Sequence, residues 1–249
     1  MRQMFAGANA FNQDISNWNV SSVTSMHTMF FGVSSFNQNI NNWDVSNVTD
    51  MLYMFKDAIA FNQPLNNWNV SNVTNMSYMF SGADAFNQDI TNWDVSNVTD
   101  MNNMFYHADA FDQDLGSWNV SKVTNMTHML TYTTLSIANY DALFVGWNSL
   151  TLTSNVNFGA ESKICTLNSP ASVARTNMIN NDNWTITDGG CKLEQTITFT
   201  NPGNKIFGDT FNLGATTSSG LNVSYASTTT PICTVGSSTG DVTIVTVGD

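Results

Sequence analysis

Carboxylate pairs are the first residues of this sequence whose type and spacing could do chemistry. Asp44 is followed by Asp50, and Asp94 is followed by Asp100 at the same spacing. Two carboxylates serve as acid and base, or acid and nucleophile, in most glycoside hydrolases. A catalytic dyad is a unique pair, however, and here asparagine takes the same places in intervening segments. Solvated loop carboxylates are therefore the favoured interpretation.

Calcium binding is a second chemistry open to the acids, because this cation prefers carboxylate and carbonyl oxygens. Two sets of aspartates recur at regular places and would supply such ligands: Asp14, Asp89 and Asp114, and Asp44 with Asp94. Asn39 and Pro64 interrupt the first set, which argues against calcium. The sequence thus predicts no catalytic, cofactor-binding or metal-binding residue, with calcium kept as an alternative.

Other signals in the sequence argue against specific functional classes. No GxSxG, HExxH, P-loop or GxGxxG arrangement is present. His27, His107 and His128 fall at unrelated places, and the three cysteines lack CxxC spacing, which argues against zinc. The seven Lys and Arg are scattered through a chain of net charge −12, so nucleic-acid binding is disfavoured. No apolar run reaches the roughly 18 residues of a membrane span.

A repeat of 25 residues dominates the first half of the chain and must position these side chains. Twelve of the thirteen methionines fall in two columns, a column being one position in successive repeats. Since identical residues recur at identical places, we expect the repeats to stack with parallel strands and to bury these columns as ladders. The predicted core columns are Trp18, Trp43, Trp68, Trp93 and Trp118, and Met26, Met51, Met76, Met101 and Met126.

Two local patterns indicate one strand and one helix in each repeat. A short strand is predicted near Gln13–Trp18, because residues 11–20 are richer in aromatic and β-branched residues and Ile15 is flanked by polar ones. A short helix capped by Ser21 or its neighbour is predicted from apolar residues at helical spacing, namely Val23, Met26, Met29, Phe30 and Val33.

Two polar columns need their own interpretation. One should hydrogen-bond the loop backbone of the adjacent coil: Asn12, Asn37, Asn62, Asn87 and Asp112. A threonine column could form one row of an ice-binding face, although helix-start chemistry is the simpler interpretation: Thr24, Thr49, Thr74, Thr99 and Thr124.

The phrase NWDVSNVTDMxxMFxxAxxFNQ resembles the BspA-like bacterial surface-protein repeat of the DUF285 type, a relative of leucine-rich repeats. The resemblance covers about residues 1–130 and departs from the pattern at Gly116–Ser117 and Leu130. It implies an α/β repeat solenoid with one short strand and one short helix in each repeat. It also implies a secreted or surface-anchored protein whose repeats serve adhesion or protein–protein contact, with no catalytic residue to carry over.

The period ends after Met129, and two further regions are predicted. Residues 131–192 have the pattern of an α+β C-terminal cap with strands in TLTSNVNF and NWTITDGG, one helix in LSIANYDALFVGWNSL, and a second helix that Ser169 caps and Pro170 begins. Residues 193–249 resemble bacterial Ig-like modules and predict a partial all-β sandwich from QTITF, FNLGA, LNVSY, PICTV and DVTIVTV.

Cysteine placement fits the export that the resemblance implies. A disulfide between Cys165 and Cys191 is favoured over two free thiols. Cys233 is then either a buried apolar residue or the partner of a cysteine beyond residue 249. Met1 lies in the middle of a repeat, so we expect a piece of a longer protein whose signal and anchor lie outside this sequence.

The sequence therefore predicts a non-catalytic surface or secreted protein that recognises an extracellular protein or glycan through its solenoid. Two other classes stay open. A structural spacer or self-associating stalk would form concentration-dependent filaments. A carbohydrate-active enzyme would need a unique acidic cleft in the cap, where the acids are Asp141, Glu161, Asp182 and Asp188.

Overall fold

The computed structural model describes residues 1–193, 197–198, 203–217, 222–227, 233–238 and 240–244. The chain divides into two compact units, Met1–Lys192 and Leu193–Asp249, and each is described by itself. Within the described ranges, no helix combines the length and the apolar character needed to cross a membrane.

The first unit is a stack of coils joined by parallel backbone pairing. We number the positions of a coil from 1 to 25, with coils 1 to 6 beginning at Met1, Met26, Met51, Met76, Met101 and Met126. At position 25 each coil bridges the next in one parallel ladder: Ser25, Asp50, Asn75, Asp100 and Asn125. This ladder supports the predicted assignment to leucine-rich-repeat-like solenoids, which stays a prediction.

Backbone hydrogen bonds over positions 1 to 8 alternate between the neighbouring coil and the same coil. In coil 2, the N–H groups of Thr28, Phe30 and Gly32 donate to carbonyls of coil 3, and that of Met26 donates to the carbonyl of Asp50, the residue just before coil 3. The N–H groups between them close turns onto the carbonyl three residues earlier: those of Met29, Phe31 and Val33. The helix predicted here is therefore wrong. Its apolar spacing of three and four arises from consecutive turns.

The predicted strand and cap inside the repeat are also corrected. No strand forms at Gln13–Trp18, and the pairing residue lies at position 25 instead. Ser21 caps no helix, since its N–H and hydroxyl both donate to Oδ1 of Asn19. The threonine column is part of the stacking ladder, because both N–H and Oγ1 of Thr49 donate to the carbonyl of Thr24, and the later threonines repeat this.

Aromatic and sulfur-containing columns fill the core of the stack. Phe55 stacks on Phe80 with ring centroids 5.5 Å apart, and on Phe61 of its own coil at 4.2 Å. Met26, Met51, Met76, Met101 and Met126 are all fully buried. Trp43, Trp68, Trp93 and Trp118 are buried, and each indole N–H donates to a carbonyl of the preceding coil. Trp18 of coil 1 is 38% exposed and does not belong to the core.

The predicted role of the asparagine column is confirmed. Oδ1 of Asn12 accepts the N–H of Asn37 at 2.9 Å, and it also accepts the side-chain amide of Gln38. The same two bonds recur in the next coils, so this column and the neighbouring glutamines join coil to coil.

The region after coil 5 extends the ladder rather than only covering it. Its elements are β1 (Asn125–Met126), α1 (Ile137–Trp147), β2 (Asn157–Gly159), β3 (Cys165–Thr166), α2 (Pro170–Asp182), β4 (Thr185–Thr187) and β5 (Cys191–Lys192). β1, β2 and β4 form a parallel sheet in that order. Trp147 continues the tryptophan column, because its indole N–H donates to the carbonyl of Leu115 at 3.0 Å.

Helix α1 packs closely on coil 5, which explains where the repeat pattern breaks. A Cβ at position 116 would lie 2.6 Å from the carbonyl oxygen of Ala142, and one at Gly146 would lie 1.9 Å from the carbonyl oxygen of Gly116. Only glycine fits both places, so Gly116 replaces the polar residues of earlier coils. α2 begins as predicted, with Ser169 as N-cap and Pro170 in the first turn.

A disulfide and a buried ion pair hold the elements of this region together. The predicted bridge between Cys165 and Cys191 is present, and it joins the paired strands β3 and β5. Asp188, whose side chain is only 1% exposed, accepts two hydrogen bonds from Arg175 of α2. It also accepts the hydroxyl of Tyr140 in α1 at 2.7 Å.

The second unit is described only in part and contains short strands. They are β6 (Ile197–Thr198), β7 (Thr210–Asn212), β8 (Thr216–Thr217), β9 (Cys233–Val235) and β10 (Asp241–Ile244). β7, β10 and β9 form an antiparallel sheet, and β6 pairs with β8. Within LNVSY, residues 222–225 form no strand, while parts of QTITF, PICTV and DVTIVTV lie outside the described residues. The Ig-like assignment stays a prediction.

Candidate ligand-binding face

Five positions of the coil change their residue type strongly from coil to coil, namely positions 2, 3, 6, 7 and 9. We call the surface that they form the variable face. Position 6, for example, carries Ala6, Phe31, Lys56, Ser81, Tyr106 and Thr131. Most other exposed positions exchange only Asn, Asp, Ser and Thr. Since all coils share one backbone path, the identity of a strongly varying residue is not dictated by the fold.

Positions 3 and 7 place their residues in the left-handed backbone region in every coil, with φ between 53° and 75°. Glycine adopts this region without a steric penalty, and three coils have glycine at position 7. Bulky side chains stand at these positions elsewhere: Tyr53, Tyr78, His107, His128 and Tyr132. Each left-handed non-glycine residue costs about 1–2 kcal/mol, so these side chains are present despite the backbone.

A groove of about 680 Å³ runs along the variable face from coil 3 to coil 6. Lys56 and Asp57 line one end, and Tyr132 lines the other together with Glu161, which lies just after β2. A second depression of about 430 Å³ continues the face through coils 1 to 3, where His27 and other position 2, 3 and 6 residues line it. All three histidines of the chain therefore lie on this face.

Aromatic rings of the variable face contact one another along the stack. Tyr53 stacks on Tyr78 with centroids 4.7 Å apart, and His107 stacks on Tyr132 at 4.4 Å. Tyr106 meets Tyr132 edge-on at 5.6 Å. Such rings combine apolar area with polar groups and lose little conformational freedom on binding, which is why tyrosine is frequent in recognition surfaces.

Carboxylates accompany the rings. Glu161 accepts the Thr131 hydroxyl and lies 2.7 Å from Nδ1 of His128. Lys56 is paired with Asp57 at 2.6 Å.

Asp84 lies on the surface beside further acids of the groove. Burial raises the pKa of its carboxyl, the charges of Asp109 and Asp57 raise it further, and His107 opposes them. The groove therefore concentrates negative charge that its own residues neutralise only in part.

The aspartates considered as a catalytic or calcium site have local roles. Oδ1 of Asp44 accepts the N–H and hydroxyl of Ser46, which lowers the Asp44 pKa, with the hydroxyl as the larger cause. Asp50 accepts the hydroxyl of Ser25 in the preceding coil. Across the part of the chain that the structure describes, no group of three or more His, Cys, Asp or Glu is placed to hold a metal ion.

The acids of the cap are not assembled into one cleft. Asp141 accepts the backbone N–H of Thr166, and Asp188 is engaged by Arg175 and Tyr140. Among these acids of the cap, Glu161 alone lines the groove. The variable face was not predicted from the sequence, because only the columns in which the residue type is kept from repeat to repeat were considered. The differences within a column, from one coil to the next, are the signal that would have found it.

Replacing His107 by glycine is expected to leave the free energy of unfolding within about 1 kcal/mol of the wild type. The loss of the ring stacked on Tyr132 is offset by relief of the left-handed strain, and coils 2 and 4 carry glycine at the same position. Urea denaturation followed by circular dichroism measures the change. A loss above about 2 kcal/mol would assign His107 a structural role.

Comparison with known proteins identifies the repeats. A family model described as "Mycoplasma protein of unknown function, DUF285" matches residues 1–84 and again residues 41–143, which together make up more than half of the chain. No curated protein and no solved structure matches the chain. The matched range contains coils 1 to 5 and most of α1. The chain therefore belongs to the BspA-like family of repeat proteins designated DUF285.

Proposed function

We propose that the protein is a non-catalytic, secreted or cell-surface repeat protein whose variable face recognises an extracellular protein or glycan. The observation that carries this proposal is the groove of about 680 Å³, because its lining comes mainly from positions at which the coils diverge. The columns in which the residue type is kept either fill the core or form the hydrogen bonds that join the coils. Binding is a function for which varied side chains on a fixed backbone are suited.

The disulfide between Cys165 and Cys191 supports the extracellular part of the proposal, since disulfides persist mainly in oxidising compartments. We propose that the protein is non-catalytic because several of its acids already have structural partners. They accept hydrogen bonds in Asx-type turns, join neighbouring coils, or form a buried ion pair. The groove holds rings and carboxylates suited to holding a ligand.

Binding to an array of extracellular-matrix proteins and glycans tests the proposal. The groove variant is Tyr106→Ser with His107→Gly, which gives coil 5 the residues that coil 4 carries at positions 6 and 7. The matched control is Asp44→Asn with Asp94→Asn, which gives position 19 the asparagine of coils 1, 3 and 5.

We expect a saturable partner whose affinity falls about tenfold or more in the groove variant, as for a residue pair at an interface hot spot. The control should keep its affinity within about twofold. Equal binding by the groove variant and the wild type would overturn the proposal. Filaments that grow with protein concentration, with no partner on the array, would favour the structural spacer.

A further inference from the structure

We propose that the groove on coils 3 to 6 binds an extended segment of a partner protein that presents lysine or arginine side chains, held by its tyrosine rings and by Asp84, Asp109 and Glu161. This inference rests on the proposed function and names the class of ligand for the same surface.

Charge is the first argument. Four carboxylates line the groove, those of Asp57, Asp84, Asp109 and Glu161, against the single ammonium group of Lys56. Lys56 already contacts Asp57 at 2.6 Å, so its charge is compensated locally. With a net charge of −12 on the whole chain, anionic ligands are repelled and cationic ones are attracted.

The position of the acids is the second argument. Among the ion pairs of the described residues none includes Asp84, and Asp109 is 65% exposed with His107 3.8 Å away. Asp84 and Asp109 occupy position 9 in adjacent coils, so their charges repel each other. Asparagine, serine and isoleucine occupy this position in coils 1 to 3, so the fold does not require acids there. A bound ammonium or guanidinium group would relieve the repulsion.

The rings are the third argument. Lysine and arginine bind over aromatic faces, and this protein shows such a contact on the same face, where Nζ of Lys56 lies 5.3 Å from the centroid of Phe31. Tyr78, Tyr106 and Tyr132 line the groove beside the acids and offer further rings. Carboxylates next to tyrosine rings match both parts of a basic side chain, its charge and its aliphatic stem.

The length of the groove limits the size of the segment. It spans four coils, and parallel strands are spaced about 4.8 Å apart, so the groove is about 14 Å long. An extended chain rises about 3.3 Å per residue, so about four residues fit at once.

Fluorescence anisotropy of the full chain with labelled hexapeptides tests the inference. The probe is an acetylated and amidated peptide of alternating glycine and lysine, and its matched control carries glutamate in place of lysine. A neutral hexasaccharide of N-acetylglucosamine is the glycan arm. We expect the lysine peptide to bind, the glutamate peptide not to bind, and the affinity to fall as salt is raised to physiological strength.

Two variants with the same change in net charge separate the groove from general attraction to an acidic protein. Asp84→Asn with Asp109→Asn, which introduces the asparagine of coil 1, should weaken the lysine peptide at least tenfold. Asp44→Asn with Asp94→Asn should weaken it less than twofold. Equal weakening by both variants would overturn the inference, and so would failure of the lysine peptide to bind.

The outcomes also separate this inference from the proposed function. If the hexasaccharide binds in place of the peptide and Tyr106→Ser with His107→Gly abolishes that binding, the ligand class is wrong and recognition by the variable face stands. If the groove variant changes no interaction on the matrix array, both proposals fail.

Discussion

Replacing Trp93 by alanine is expected to lower the free energy of unfolding by about 4–6 kcal/mol. Trp93 is buried between Trp68 and Trp118, at centroid distances of 6.4 and 6.5 Å. Its indole N–H donates to the carbonyl of Leu65 at 3.0 Å. The variant leaves a large cavity, for about 3–5 kcal/mol, and an unpaired buried carbonyl, for about 1 kcal/mol more. Urea denaturation followed by circular dichroism measures the loss.

The matched control for this prediction is Trp18→Ala, in the same column of coil 1. Trp18 is 38% exposed, whereas Trp93 is 3% exposed. Less apolar area is lost, so we expect a decrease of about 1–2 kcal/mol. Equal decreases for the two variants would show that inter-coil packing of the tryptophans does not set the stability of the stack.

Replacing Asp188 by alanine is expected to cost about 3–5 kcal/mol, because it leaves the guanidinium group of Arg175 without its charge partner in a largely buried place. The variant also removes the acceptor of the Tyr140 hydroxyl. Burial, with the Asp188 charge as second cause, raises the pKa of Tyr140 well above its usual value, so this hydroxyl remains a donor at neutral pH.

Tyr140→Phe is the control for this network. It removes one hydrogen bond and keeps the ion pair, so a loss of about 1 kcal/mol is expected. Thermal and urea denaturation of both variants provide the measurement. A loss for Asp188→Ala no greater than that for Tyr140→Phe would mean that the ion pair contributes nothing to the cap.

The sequence was sufficient for the features that depend on identity between repeats. The 25-residue period predicted stacked coils and buried columns, and the start of α2 followed from Ser169 and Pro170. The disulfide was predicted from export rather than from geometry. The columns could be predicted because the same residue type recurs every 25 residues. The helix start could be predicted because serine and proline have strong preferences for the N-cap and the first helical position.

The path of the backbone inside a coil could not be predicted. Apolar residues at Met26, Met29, Phe30 and Val33 have helical spacing, yet they lie in turns separated by left-handed residues. A glycine in the sequence normally indicates a left-handed residue, but Thr28, Tyr53 and Tyr78 adopt this conformation and are not glycine. These three residues occupy position 3, and position 3 also lines the groove. Because no coil has glycine there, the sequence indicated neither the left-handed turn nor the groove.

Each coil bonds to its neighbours through the same backbone and side-chain groups, and this has a genetic consequence. Coils that share most of their residues can be encoded by similar stretches of DNA, and recombination out of register between such stretches gains or loses whole repeats. Gain or loss of 25 codons adds or removes one whole coil, and the ladder closes again across the junction because every coil presents the same donors and acceptors. A single event of this kind would lengthen the stack by one coil, or recombine its variable side chains, and leave the ladder intact.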